Sequence, residues 1–195
     1  MNLANTAVES LNDLELSPYE RLLALPENLV GEVIGGELYT QARPSGRHGV
    51  AEGMIGAELL LPFQLGRNGP GGWWIVPEPE IHFIRDTEVV VPDLAGWRRE
   101  RMPTIPEGHR FEVVPDWVCE ILSPGTIKKD RALKLPLYAR YGVAYIWLMD
   151  PLARTLEAYE LRGGAWLLLT TLKDDDPVSI APFAAVTFSL ADLWV

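Results

Sequence analysis

The segment Pro115–Lys134 reads PDWVCEILSPGTIKKDRALK, and its first half has the pattern of a buried β-strand. Both faces of the two-residue repeat are apolar, through Trp117, Val118, Cys119, Ile121 and Leu122. Glu120 nevertheless stands in the middle of this run. An unpaired carboxylate in such a strand costs several kcal/mol. We therefore expect Glu120 to have a compensating partner in the folded protein.

The composition is typical of a globular protein with one core. The chain has 195 residues, of which 48% are hydrophobic and 23% are charged, so we expect a single domain over residues 1–195. No apolar run is long enough to cross a membrane, and acidic residues stand near the N-terminus, where a secretory signal is basic and then apolar. These features predict a cytoplasmic protein. Cys119, the only cysteine, is expected to be a buried structural thiol.

Basic residues are concentrated in one part of an acidic chain. The formal charge is −10, but residues 96–140 hold nine of the 17 basic residues against six acids, which gives this segment +3 and the remainder −13. Such an acidic chain is a poor general binder of nucleic acid. A basic strip of Lys128, Lys129 and Arg131 could still meet a phosphate backbone. The alternative is an ordinary solvated surface.

The first third of the chain predicts a helix, a hairpin and a second helix. Ser17, Pro18 and Glu20 form the capping-box pattern of a short helix. The run LVGEVIGGELYTQA predicts a pair of strands that turn at two glycines. RHGVAEGMIGAELLLPFQLG then predicts an amphipathic helix. Its apolar positions at helical spacing are Val50, Met54, Ala57, Leu61 and Leu65.

The rest of the chain is mostly strand-like, with one further helix. The runs WWIVPEPEIHFI, TEVVVPDLAGW and VAYIWLMD predict strands, and TLEAYELRGGAWLLLTTL predicts a hairpin. IKKDRALKLPLYARYG predicts a helix that Pro136 kinks or delays and that Gly142 ends. This order of elements predicts an α/β or α+β fold, with a mixed sheet in the middle.

A second acid stands in a setting like that of Glu120. Asp93 directly follows a valine run and Pro92, where the chain would leave the sheet. If the two strands are neighbours, the two carboxylates converge, and a cation between them would relieve their repulsion. Hard oxygen ligands suit Mg²⁺ or Mn²⁺. Histidine and cysteine are too scarce for a zinc site.

Lys134 is the candidate for a basic group at such a site. The helix that follows the strand of Glu120 can pack back across the sheet and bring this lysine to the carboxylates. There it could orient an attacking water or contact a phosphate. The alternative is an exposed pair with Asp130, four residues earlier, which would contribute about 0.3–0.5 kcal/mol.

Three stretches together resemble the Uma2 family of the PD-(D/E)XK restriction-endonuclease-like superfamily. They are VVVPDLAGW, PDWVCEILSPGTIKKDRALKLPLYARYGVAYIWLMDP and LEAYEL, and the resemblance extends over about residues 18–161. It implies a restriction-endonuclease-like core, with a central mixed β-sheet flanked by helices. It also implies metal-dependent cleavage of phosphodiester bonds.

The resemblance also implies roles for individual residues. Asp93 matches the acid of the PD motif and Glu120 the second acid, and the carbonyl of Ile121 could assist them in holding the ion. Leu122 occupies the position where the general superfamily motif has lysine, and Lys134 from the next helix matches the place from which this family offers one. Glu32 matches a further acid. Glu37 is a weaker match. His48 also matches a family position, but a hydrogen bond at the start of a helix is the simpler interpretation of this residue.

The sequence therefore predicts a Mg²⁺- or Mn²⁺-dependent endonuclease that acts on DNA. Asp93 and Glu120 hold the ion in this hypothesis, Lys134 positions water, and Glu32 supports the ion or a second one. One alternative is a catalytically inactive domain of the same fold that binds nucleic acid or protein. Another is a metal-dependent hydrolase of a different phosphoester. A homodimer is possible, because cutting both strands at once requires two active sites.

Overall fold

The computed structural model describes residues 16–42 and 46–194. The N-terminal stretch from which a secretory signal was excluded thus lies largely outside the described residues, as do both ends of the predicted 1–195 domain. Thirteen strands and several short helices are present in the described part. None of the described helices is long and apolar enough to span a membrane.

The larger sheet has six strands in the order β11-β10-β9-β8-β6-β3. These strands are β3 (Trp73–Pro77), β6 (Leu94–Arg98), β8 (Trp117–Ile121), β9 (Tyr145–Asp150), β10 (Thr155–Arg162) and β11 (Ala165–Lys173). Only β8 and β9 pair in parallel, and every other neighbouring pair is antiparallel. The mixed sheet expected from the sequence is confirmed.

A second sheet has five strands in the order β2-β1-β5-β4-β7. They are β1 (Leu29–Ile34), β2 (Glu37–Ala42), β4 (Glu80–Ile84), β5 (Glu88–Val90) and β7 (Arg110–Phe111). The sequence did not indicate this division into two sheets. Two strand-like runs are each split near a proline, at Pro79 and at Pro92, and continue in the other sheet. Proline lacks the donor that a sheet ladder requires.

The predicted helices are present, with two π-helical turns. They are α1 (Pro18–Leu23), α2 (Gly46–Leu59) with a π turn (Leu60–Gln64), and α3 (Ile127–Lys129), followed by a π turn (Asp130–Lys134) and α4 (Leu135–Tyr141). The capping box of Ser17 and Glu20 is formed. The second π turn lies directly before Pro136, whose missing N–H interrupts the helical hydrogen bonds. Gly142 ends α4 in the left-handed conformation at φ 80°. The remaining elements are β12 (Pro177–Val178), β13 (Phe188–Ser189) and a 3₁₀ helix (Leu190–Leu193).

The apolar positions from which the amphipathic helix was predicted are not the buried face of α2. Val50, Met54, Leu61 and Leu65 are 42%, 37%, 48% and 55% exposed, and Ala57 is exposed as well. The buried apolar side chains of the helix are instead Ala51, Ile55 and Leu59. The helix is apolar on two sides, and spacing alone could not decide which side meets the sheet.

The six-stranded sheet has a hydrophobic cluster on each face. On one face, α2 and the C-terminal segment pack against residues that include Ile75, Leu94 and Cys119. On the other face, α4 and the five-stranded sheet share a cluster that includes Ile34, Val118 and Leu137. The end of β8 thus lies between α2 on one side and α4 with the second sheet on the other.

Candidate active site

Glu120 is buried in β8, and its partners come from the helix that follows. Glu120 is 2% exposed and Lys134 1%. The Lys134 Nζ atom lies 2.7 Å from Glu120 Oε1 and 2.9 Å from Oε2. Tyr138, one turn further along the helix, donates from its hydroxyl to Glu120 Oε1 at 2.5 Å. The compensating partner expected from the sequence is therefore an ammonium and a phenol, offered from one helix face.

Lys134 also binds a carboxylate of the other sheet. Its Nζ atom lies 2.9 Å from Oε1 of Glu32 in β1, which is 0% exposed. The same Glu32 oxygen accepts from the backbone N–H of Val91 at 2.9 Å, and Lys129 contacts the second oxygen. The exposed pair with Asp130 is the wrong alternative for Lys134, because Lys134 is buried and the Asp130 carboxylate is 3.9 Å away. We call Glu32, Glu120, Lys134 and Tyr138 the closed half of the site.

Burial and charge act in opposite directions within the closed half. Burial works against the charge of Lys134, but Glu120 and Glu32 outweigh it and raise its pKa well above the usual value. Burial would also raise the pKa of Glu32, but the two lysines lower it. The pKa of Glu120 is raised well above its usual value by burial, which Lys134 only partly opposes. Glu120 therefore takes up a proton at a higher pH than a free glutamate would, whereas Glu32 and Lys134 form the stable ion pair.

Asp93 lies beside Glu120 because their strands are neighbours. Leu94 at the start of β6 pairs with Cys119 in β8. The backbone N–H of Ile121 donates to Asp93 Oδ2 at 2.5 Å, so the Asp93 carboxylate lies against the peptide that follows Glu120. The structure thus brings Asp93, Glu120, Lys134 and Glu32 into one region.

His48 lies in the first turn of α2 and contacts Asp93, which comes from outside that helix. His48 Nε2 lies 2.8 Å from Asp93 Oδ1. Burial lowers the pKa of His48, but the hydrogen bond and the charge of Asp93 raise it above the usual value. The pair holds the Asp93 side chain from the side of α2. The sequence could not indicate this contact, because the distance between α2 and Asp93 depends on the tertiary structure.

Glu52 is an acid that the sequence analysis missed. It follows His48 by one helical turn, and burial together with the charges of Asp93 and Glu78 raises the pKa of Glu52 to about 7. The spacing of four residues between His48 and Glu52 was the available signal, because it places both on one face of α2. We call His48, Glu52 and Asp93 the open half of the site.

The open half is reached from the surface through a small cleft. The cleft has a volume of about 110 Å³ and is lined by His48, the exposed Arg47, Leu122, Ser123, Pro124, Pro151 and Leu152. The side chains of His48 and Asp93 are 10% and 13% exposed. Those of Glu32 and Glu120 are 1% and 3% exposed. The cleft therefore gives a small ion or a phosphate access to the open half at His48.

Several other residues considered in the sequence lie outside the site or belong to the hydrophobic core. Glu37 is exposed and accepts from the Tyr39 hydroxyl at 3.1 Å. Leu122 is 3% exposed and belongs to the core. Cys119 is fully buried, and burial raises the pKa of its thiol well above the usual value, which agrees with a structural thiol.

The basic strip is largely neutralised. Lys129 donates to Gln41 at 2.6 Å and contacts Glu32. Arg131 lies 3.0 Å from Glu157. Lys128 is exposed, and no partner for it is found in the described part of the chain. The strip therefore offers one free cation to a phosphate rather than three.

The donor set of the site suits a hard cation. Asp93 and Glu120 supply carboxylate oxygens near the same peptide group, the one that joins Glu120 to Ile121. Oxygen atoms are the ligands that Mg²⁺ and Mn²⁺ prefer. Within residues 16–42 and 46–194, no three His, Cys, Asp or Glu side chains are arranged to hold a metal ion. Mg²⁺ commonly takes only one or two protein carboxylates and completes its shell with water and phosphate. Asp93 and Glu120 therefore fit Mg²⁺ in the type of ligand, while both oxygens of Glu120 are already in contact with Lys134 or Tyr138.

Comparison with known proteins identifies related sequences and folds. The family model "Uma2: Putative restriction endonuclease" matches residues 16–191. The fold is similar to a solved structure from Anabaena variabilis ATCC 29413, described as "a putative nuclease belonging to DUF820", with a TM-score of 0.69 and 24% identity over 91% of this chain and 97% of that chain. No curated protein matches. The family resemblance and the restriction-endonuclease-like α+β fold expected from the sequence are both confirmed.

Proposed function

The chain belongs to the Uma2 family, and from this premise we propose that it is a divalent-metal-dependent endonuclease that hydrolyses phosphodiester bonds in DNA. The descriptions of the family and of the structural neighbour both name a nuclease. One observation carries the proposal. The buried Lys134 ammonium lies within 2.9 Å of carboxylate oxygens of both Glu120 and Glu32, with Asp93 at the adjoining peptide.

Two carboxylates and one peptide carbonyl form the proposed cation site. Asp93 and Glu120 would hold Mg²⁺ or Mn²⁺, and the carbonyl of Ile121 would assist them. When bound, the ion would activate water and offset the charge that develops on the phosphate. His48 orients Asp93 through its 2.8 Å contact. The pKa of Glu120 is raised, so we expect metal binding to strengthen as the pH rises and this proton is lost.

Lys134 is the group that we propose to orient the water and to offset the charge of the phosphate. Its ammonium is held by Glu120, by Glu32 and, at 3.3 Å, by the carbonyl of Val91. A charged lysine at this position can offset the charge of a phosphate oxygen, and it can orient water once cation binding at Glu120 frees one of its three N–H donors. Leu122, at the usual lysine position, lies in the core, where a lysine would be a buried charge. Lys134 is buried as well, but Glu120 and Glu32 compensate its charge there, and Glu32 supports the site by keeping Lys134 charged.

One observation favours a second function, a binding domain that lacks catalysis. Both oxygens of Glu120 already accept hydrogen bonds, from Lys134 and from Tyr138, so that cation binding must displace or share them. The charge of −10 also disfavours close approach of DNA in the absence of a cation. Such a domain would bind a partner without needing a metal ion.

The test is cleavage of supercoiled plasmid and single-stranded DNA with Mg²⁺, with Mn²⁺ and with a chelator. We expect metal-dependent nicking by the parent, and its loss in Asp93→Asn and in Lys134→Met. Lys128→Met is the matched control, because Lys128 is exposed and lies on the same helical segment. The control should cleave as the parent does, with at most a modest loss of DNA affinity at low salt.

Metal binding is measured separately, by titration of Mn²⁺ into the metal-free protein. Asp93→Asn should weaken binding, whereas Lys134→Met should retain it if the variant is folded. A folded Lys134→Met variant that cuts as well as the parent would remove Lys134 from the mechanism. If the parent cuts no DNA and takes up no Mn²⁺, the binding domain is the better description.

A further inference from the structure

The second apolar face of α2 has no covering element among the described residues. Four large side chains on this face are at least 37% exposed, although a helix on the surface of a globular protein normally has one apolar stripe. They form, with the exposed Ala57, a continuous row from Val50 to Leu65. A row of apolar side chains bounded by polar residues marks an interaction surface. We call Val50, Met54 and Ala57 of α2, together with Leu61 of the π turn that follows, the α2 seam.

The spacing within the α2 seam identifies the kind of partner. The intervals are four, three and four residues, which is the heptad spacing of helices that pack at a shallow angle. This series is the same when read in either direction. An antiparallel second copy therefore places Val50 opposite Leu61 and Met54 opposite Ala57. A two-fold interface requires such a self-complementary patch.

The surroundings of the α2 seam also suit a second copy. The seam contains no charged residue, so that two acidic chains can approach there without facing carboxylates in the contact. Gly53 lies beside Met54, and the space above its Cα atom is open to 4 Å, which allows close approach of a second backbone. The exposed Arg47 and the partly exposed Gln64 mark the ends of the seam. Between these ends the seam itself presents apolar side chains, and the partly exposed Glu58 lies at its edge, next to Ala57.

The area of the seam matches a reversible dimer. The seam and its flanks run for about three turns of helix, and two such faces would bury on the order of 1,000 Å² in total, near the lower limit for a specific interface. We propose that the chain forms a two-fold dimer through antiparallel packing of the α2 seam. The association does not depend on the nuclease activity. If the proposed function holds, the two His48 residues would lie about 22 Å apart along the helix pair, so that one dimer presents two sites to a duplex.

The first test is the oligomeric state by sedimentation over a range of protein concentrations, in metal-free buffer. We expect a monomer–dimer equilibrium that Met54→Glu weakens at least about tenfold, because it places a charge in the contact. Leu23→Glu is the matched control, since Leu23 is 59% exposed and lies outside the seam. Leu168→Glu tests the outer strand β11 as a competing interface.

The second test is site-directed crosslinking, which also detects the antiparallel register. Cys119, the only cysteine, is 0% exposed and does not compete. A mixture of Val50→Cys and Leu61→Cys proteins should form the mixed disulfide at least about five times faster than either protein alone forms its own, because the register places 50 opposite 61. Three results would overturn the proposal: a monomer at all concentrations, a dimer that Leu168→Glu disrupts and Met54→Glu does not, or equal crosslinking in all three samples. Cleavage assays on the same variants are scored separately, so that loss of activity cannot be mistaken for loss of association.

Discussion

The two halves of the site differ in how they neutralise their carboxylates. In the closed half, lysine and tyrosine side chains bind the carboxylates, and every member is at most 3% exposed. In the open half, one histidine faces two acids, and the side chains are partly exposed. The closed half therefore contributes to the stability of the fold, whereas the open half retains unbalanced negative charge that a cation could neutralise.

The two halves should also respond to substitution with opposite changes in stability. Removal of one member of a buried ion pair leaves the other charge uncompensated. Removal of an acid from a group that is already too negative relieves repulsion. We therefore expect substitutions in the closed half to destabilise the protein, and substitutions of Glu52 in the open half to stabilise it.

The largest effect is expected for Lys134→Met. This change leaves Glu120 and Glu32 buried without their shared ammonium, and we expect a loss of about 3–5 kcal/mol in the free energy of unfolding. Urea unfolding at pH 7 in metal-free buffer measures it. The control is Lys128→Met, which should stay within about 0.5 kcal/mol of the parent. Equal stability of the two variants would show that the closed half has no structural role.

A smaller loss is expected for Glu120→Gln. The glutamine oxygen can still accept from Tyr138 and Lys134, and Glu32 still neutralises the lysine. We expect a destabilisation of about 1–2 kcal/mol, because the charge-assisted bonds become neutral ones. The same unfolding experiment measures it. A variant more stable than the parent would instead show that the buried charge of Glu120 costs more than its contacts return.

Glu52→Gln should stabilise the protein, and only at neutral and higher pH. The pKa of Glu52 is raised to about 7 in the folded state from its usual 4.5. The folded state therefore holds this proton more tightly than the unfolded chain, and stability falls as the pH rises between these two values. Since Glu52 is half exposed, we expect the variant to gain only about 1 kcal/mol above pH 7 after solvent screening. Thermal melts at pH 5 and pH 8 measure the difference, which should vanish at the lower pH.

The smallest effect concerns the pKa of His48, followed by NMR. Asp93→Asn removes the charge that raises this pKa and leaves the burial that lowers it, so we expect a drop on the order of one unit. In the parent, the raised pKa contributes stability that is fully present below the usual value of 6.5 and is lost as the pH rises through the folded value. The variant should lack this pH dependence. An unchanged His48 titration would mean that the contact with Asp93 is not formed in solution.

The sequence was sufficient for most of the local structure, and it singled out Asp93, Glu120, Lys134 and Glu32, which the fold brings into one region. The capping box at Ser17, the helix end at Gly142 and the hairpin turn at Gly163 and Gly164 are all formed, because caps and turns depend on residues close together in the chain. Glu120 was identified as needing a partner because a carboxylate in an apolar strand has a cost in any fold. The roles of Asp93, Glu120, Lys134 and Glu32 in catalysis remain predictions.

Only the tertiary structure determined which residues meet. The burial of Lys134 between two sheets, the contact of His48 with Asp93 and the raised pKa of Glu52 all arise between segments far apart in sequence. The same is true of α2, whose two apolar faces fit helical spacing equally well, so that only packing on the six-stranded sheet selects Ala51, Ile55 and Leu59 as the buried set. Periodicity specifies which residues share a face, but the position of that face depends on the free energy of burial against the rest of the chain.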